Sequence, residues 1–173
     1  QENFLSKLMP ADREPLVERI AWMVNVAKVL KIPILATAED VSADVDMLPR
    51  LKALLPQGQA VFNKMVFSLY GQKDIRHALE ALKRKDLVLV GQETDVCISQ
   101  SAIDLVDAGY RVWVADDATG SPGPHHEAGL QRMRNAGVVV SGIKGIYYEW
   151  LRDLPTAIAV EAAVTSIPTD LTL

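Results

Sequence analysis

Cys97 is the single cysteine of the 173-residue chain, and it stands where a thiol can react. The segment Gly91-Gln92-Glu93-Thr94-Asp95-Val96-Cys97 leads out of the apolar run Leu87-Val88-Leu89-Val90 into a stretch of helical period. A thiol in or near a first helical turn faces backbone N–H groups, which favour its anion and offer donors to a developing oxyanion. A lone cysteine also reads as a small buried hydrophobe, and the residue alone leaves both readings open. Lys64 ends the run Val61-Phe62-Asn63. There it is either a solvated charge or the cation that a thiolate requires.

Positioning these residues takes alternating elements. Leu16, Ile20, Met23, Ala27 and Leu30 recur at helical spacing, predicting a helix over residues 12–31 with Pro15 in a first turn opened by an acidic cap. The short apolar run 32–37 then reads as a buried strand. Further helices are predicted over 47–55, 74–85, 95–107, 125–135 and 143–151, with strands over 60–63, 87–91, 110–115 and 138–141. Strands that are apolar on both faces and alternate with helices predict an α/β fold: a three-layer α/β/α arrangement around a central, mostly parallel, Rossmann-like sheet. In such sheets ligands sit beyond the carboxyl ends of the strands, where Lys64 and Cys97 both fall. The domain is expected over residues 1–154. After it, the apolar stretch 157–164 reads either as a segment packed on its own domain or as an oligomerisation arm.

Composition narrows the function. With 49% hydrophobic and 23% charged residues, and no run of about 20 apolar residues, the chain reads as a folded domain with no membrane span. A net charge of −4 offers no basic patch for nucleic acid, so the expected partner is a small-molecule substrate. One cysteine and no recognisable leader predict a reducing, cytoplasmic setting. Thr37-Ala38-Glu39-Asp40-Val41 supplies carboxylates without histidine, His77 lies on a predicted helix, and His125 and His126 suit a helix start. No metal and no cofactor are expected.

Three ordered segments carry a resemblance. Val90 to Ile98, continued through Ala102, Asp107-Ala108-Gly109-Tyr110 and Val114 to Ala118, resembles the nucleophile region of the isochorismatase-like cysteine hydrolase superfamily. Val61-Phe62-Asn63-Lys64 with Phe67-Ser68 resembles its lysine segment, and His126-Glu127-Ala128 through Gly137 resembles its last helix and strand. The Phe67-Ser68 loop and compact length are most similar to the isochorismatase domain-containing proteins.

The resemblance implies a cysteine, lysine and aspartate triad, with Cys97 and Lys64 as catalytic residues. The sulfur would attack an amide-like or imide-like carbon, or a related ester, and water would hydrolyse the covalent intermediate. It also implies a non-proline cis peptide at Gln92-Glu93 and an oxyanion hole from the Glu93 and Cys97 amides. Phe4, Glu39 and Phe67 are the candidate substrate-lining residues. The family aspartate falls two residues before the glutamine that Gln1 matches, on a central first strand that is expected to precede Gln1; within the sequence, Glu2 or Asp12 would be weak substitutes. Two other functions stay open: a catalytically silent oligomeric binding or scaffold protein, and a vinyl ether hydrolase of isochorismate type, against which Cys97 argues. Assembly as a homo-oligomer is expected from the family and from the apolar tail.

Overall fold

The computed structural model describes residues 1–43 and 46–173. Its helices are α1 (Glu2–Leu5), α2 (Pro10–Val29), α3 (Pro49–Lys52), α4 (Lys73–Ala81), α5 (Ser99–Asp107), α6 (His125–Asn135), α7 (Ile143–Leu151) and α8 (Leu154–Ala163). Its strands are β1 (Ala36–Glu39), β2 (Val61–Lys64), β3 (Asp86–Gln92), β4 (Arg111–Gly120) and β5 (Val139–Ser141). Every pairing is parallel: β1 with β2, β3 with β4, and β4 with β5.

Alternation along the strands builds two cores. Leu87 and Leu89 of β3 join Val112 and Val114 of β4 against α4, α5 and α6, where Leu105 and Met133 have no exposed surface. Val88 and Val90 point the other way, with Ala115 and Ala118, into the core of α2, α7 and α8. Trp22 and Tyr147, with ring centroids 5.0 Å apart, join α2 to α7 there. Helices therefore cover both faces, and the chain has the expected α/β architecture.

The sheet is in two pieces among the described residues: β1–β2 is one and β3–β4–β5 the other. β3 consequently has a strand partner on one side only. Its Leu-Val-Leu-Val run, which reads as fully buried, is half-buried throughout.

Several boundaries depart from expectation, each for a local reason. The first long helix starts at Pro10 rather than Asp12, with Pro10 in the N-terminal turn, so Pro15 lies inside it and Asp12 is no cap. The first strand begins at Ala36, not Ile32, because only Ala36 to Glu39 find partners, on Val61 to Lys64. Met47 to Leu55 shrinks to the single turn of α3. β4 runs to Gly120, five residues beyond Ala115, by pairing Thr119 and Gly120 with Gly91 and Gln92 past an irregularity. The apolar tail stretch falls largely in α8, capped by Asp153, whose carboxylate accepts from the Thr156 N–H at 2.8 Å. Ala157, Val160 and Val164 pack into the core, while Leu154 and Ile158 are 77% and 68% exposed. No helix among the described residues is long and apolar enough to cross a membrane.

Candidate active site

The four-residue shift of β1 has a chemical outcome. It makes Glu39 the last residue of the strand, in register with Lys64 at the end of β2. Two glutamine amides fix this pair by its backbone. The Gln1 side chain donates to the Glu39 carbonyl at 2.6 Å and accepts from the Glu39 N–H at 2.7 Å. Gln72 does the same around Lys64, donating to the Asn63 carbonyl at 2.7 Å and accepting from the Met65 N–H at 2.8 Å.

Cys97 reaches the same point from β3. The Gln92–Glu93 peptide bond is cis, as the resemblance implies. The chain then makes a π turn, Thr94–Ile98, in which the Ile98 N–H reaches the Glu93 carbonyl at 3.0 Å, before α5 begins at Ser99. The cysteine thus sits in a widened turn rather than in the first turn of a longer α-helix; such turns occur frequently at functional sites. Lys64 Nζ lies 3.6 Å from Cys97 Sγ, 3.4 Å from Glu39 Oε2 and 2.7 Å from the Val66 carbonyl. The thiol donates to Glu39 Oε2 at 3.3 Å. Cys97 and Lys64 are 8% and 5% exposed.

The electrostatics differ from the sequence expectation. A helical turn and a lysine were expected to lower the thiol pKa, yet burial pushes it up; the Lys64 charge opposes that, and the Glu39 carboxylate raises it further. Burial and the Glu39 contact thus favour the protonated thiol, and Lys64 is the group that favours its anion.

Of the candidate residues, the structure brings Glu39, Lys64 and Cys97 into contact. Phe4 and Phe67 stand on the segments flanking them. Phe4 lies under Lys7 Nζ, 4.6 Å from its ring centroid, and Lys7 pairs with Glu93 at 3.1 Å. Phe67 is 55% exposed on the loop whose Val66 carbonyl holds Lys64. Glu2 is exposed, and Asp12 lines a different cleft of about 620 Å³ between α2, the end of β4 and α6. Among the described residues, no group of three or more His, Cys, Asp or Glu side chains is placed to share a metal ion.

One positioning contact escaped the sequence reading. His126, taken as a helix-start residue, has Nδ1 2.9 Å from the hydroxyl of the fully buried Thr94. One helical turn on, Gly129 brings α6 against the backbone of Asp95. The spacing of His126 and Gly129, three residues apart on one helix face, was the available signal.

Known proteins resemble the chain in sequence and in fold. The isochorismatase domain family model matches residues 1–144. Isochorismatase family protein 2A of Dictyostelium discoideum is 32% identical over 129 residues, covering 70% of this chain and 64% of that protein, so the match spans less than two thirds of the relative's length. YcaC from Pseudomonas aeruginosa, solved with hexane-2,5-diol and covalent acrylamide, superposes with a TM-score of 0.81 at 22% identity, over 95% of this chain and 84% of that one. The Escherichia coli YcaC gene product, an octameric hydrolase of unknown specificity, gives 0.77 at 21% identity, over 91% and 78%. At these identities the structural likeness is one of fold.

Proposed function

Because the chain belongs to the isochorismatase family, we propose that it is a hydrolase of small amides, imides or related esters, with Cys97 as nucleophile and Lys64 as its cationic partner. The observation that carries this reading is the contact of a buried thiol with a buried ammonium at 3.6 Å, beyond the carboxyl ends of parallel strands. Lys64 stabilises the thiolate as it forms, and the Glu93 and Cys97 amides receive the oxyanion on attack. Phe4 and Phe67 line the approach. A vinyl ether hydrolase would have no use for a thiol so placed. The single cysteine fits a reducing compartment, and we assign the protein to the cytoplasm.

The test is a screen of small amides, imides and esters, with acrylamide as the first covalent probe, read by intact mass and by product release. One adduct per chain on Cys97, together with turnover of at least one substrate, is expected. An inert Cys97 and no turnover would leave the catalytically silent scaffold as the better account.

A second copy of the chain is the partner we assign to α8. A helix that is apolar nearly all round belongs in an interior, and α8 buries Ala157 and Val160 while exposing Leu154 and Ile158. The octameric state of the Escherichia coli neighbour supports the same reading. Sedimentation at micromolar concentration is expected to show an oligomer that Ile158→Glu dissociates; a monomeric wild-type protein would refute this.

A further inference from the structure

The π turn that carries Cys97 is held from outside as well as by its own backbone. Within it, the Val96 and Ile98 N–H groups both reach the Glu93 carbonyl, at 3.3 and 3.0 Å. On its outer side, two residues are tied to neighbouring elements. The Asp95 carboxylate accepts from the Ser121 hydroxyl, just past the end of β4, at 2.6 Å. The Thr94 hydroxyl meets Nδ1 of His126, in the first turn of α6, at 2.9 Å. Thr94 has no exposed surface, so its hydroxyl cannot turn to solvent when the ring is removed. It follows Glu93, whose amide the functional reading gives to the oxyanion, and precedes Cys97 by three residues. The His126 ring is half-buried and lines the cleft between α2, the end of β4 and α6, whereas Sγ lies against Lys64 and Glu39.

We propose that His126 is a positioning residue for the nucleophile. By holding the Thr94 hydroxyl it fixes the π turn, and with the turn the aim of Sγ towards Lys64 and the Glu93 and Cys97 amides. The inference deepens the hydrolase reading and rests on it for the reaction that is measured. The π form is rare among helical turns, and its wide ring leaves the residues between its ends dependent on contacts from elsewhere. Thr94 is the first of those residues. Its partner belongs to a helix that Gly129 already seats against the Asp95 backbone, so the contact is made from a firm base. The ring's hydrogen bond goes to Thr94 and not to sulfur, which makes its influence on Cys97 one of geometry.

Three substitutions separate this role from a merely structural one. Thr94→Val keeps the buried shape and removes the hydroxyl. His126→Leu removes the ring nitrogens at a half-buried position, and His126→Asn returns an acceptor near the place of Nδ1. Thr94→Val and His126→Leu are each expected to lower kcat for an amide by about 10- to 10²-fold, the scale of a misplacement of about 1 Å, with KM little changed. Combined, they are expected to be no slower than the slower of the two, since both cut the same contact. His126→Asn recovers most of kcat. Urea midpoints near that of the wild type show that each variant is folded; if Thr94→Val does not fold, His126→Leu against His126→Asn decides. An unchanged kcat in His126→Leu, losses that multiply in the double variant, or His126→Asn as slow as His126→Leu would each overturn the proposal. If the wild type turns over no amide at all, the functional reading fails, and the rates of Cys97 labelling by acrylamide across the same variants still decide whether His126 positions the sulfur.

Discussion

Cys97→Ala is expected to abolish both turnover and adduct formation while the protein remains folded. The second half of that expectation is not trivial, because Lys64 is 5% exposed and a buried ammonium stripped of its partners would destabilise the fold by about 3–5 kcal/mol. Here the thiol is only one of three partners. With sulfur gone, Lys64 keeps the Val66 carbonyl at 2.7 Å and Glu39 at 3.4 Å, so its charge stays compensated. Removing a nucleophile on which a covalent path depends costs on the order of 10⁶ in rate in well-studied cases, beyond the reach of most assays. Urea unfolding with a midpoint near that of the wild type, together with an intact mass free of adduct, is the expected pair of results. An adduct that persists in Cys97→Ala would place the chemistry elsewhere.

Gly129→Ala is expected to damage stability and reactivity together. A Cβ built on Gly129 lies 2.7 Å from Asp95 Cα and 2.8 Å from Asp95 N. Those are backbone atoms of the π turn that presents Cys97, and no side-chain rotation can relieve the contact. Either α6 or the turn must move, and overpacking of this kind costs about 1–3 kcal/mol. The turn is tied to α6 and to the end of β4, through the Thr94–His126 contact at 2.9 Å and the hydrogen bond from the Ser121 hydroxyl to Asp95 at 2.6 Å, so the displacement is transmitted to the sulfur. A misplacement of about 1 Å at a reacting atom can cost about 10²-fold in rate. Gly145→Ala in α7 is the control: a Cβ there meets the Ser141 hydroxyl, which can swing aside. A lowered urea midpoint with slowed alkylation of Cys97 in Gly129→Ala alone is the expected outcome, and equal behaviour of the two variants would refute the argument.

Much of this was legible because hydrophobic period and strand-end placement are local signals. Residues 125–135 and 143–151 read as helices and are helices to the residue. What misled was information held by partners rather than by the segment itself. Ile32 to Leu35 are as apolar as a strand, but without a hydrogen-bonding neighbour they are not one, and the reading therefore set Glu39 beyond the strand instead of at its end. The thiol's environment was misjudged for a related reason. A turn and a lysine were visible in the sequence, whereas burial and the Glu39 contact exist only after folding. His126 likewise shares a helix face with Gly129, a local sign of close approach, but that its partner is Thr94, 32 residues away, is set only by folding. Asp153, by contrast, is a local signal: an aspartate three residues before Thr156 and just ahead of an apolar run suits a helix cap.

The site draws on three separate elements: Glu39 ends β1, Lys64 ends β2, and Cys97 lies in the π turn after β3, with the three side chains in contact. The separations among sulfur, nitrogen and oxygen are therefore a gauge of how those elements are docked. A substitution that shifts any one of them is read at Cys97, however far from the sulfur it is made.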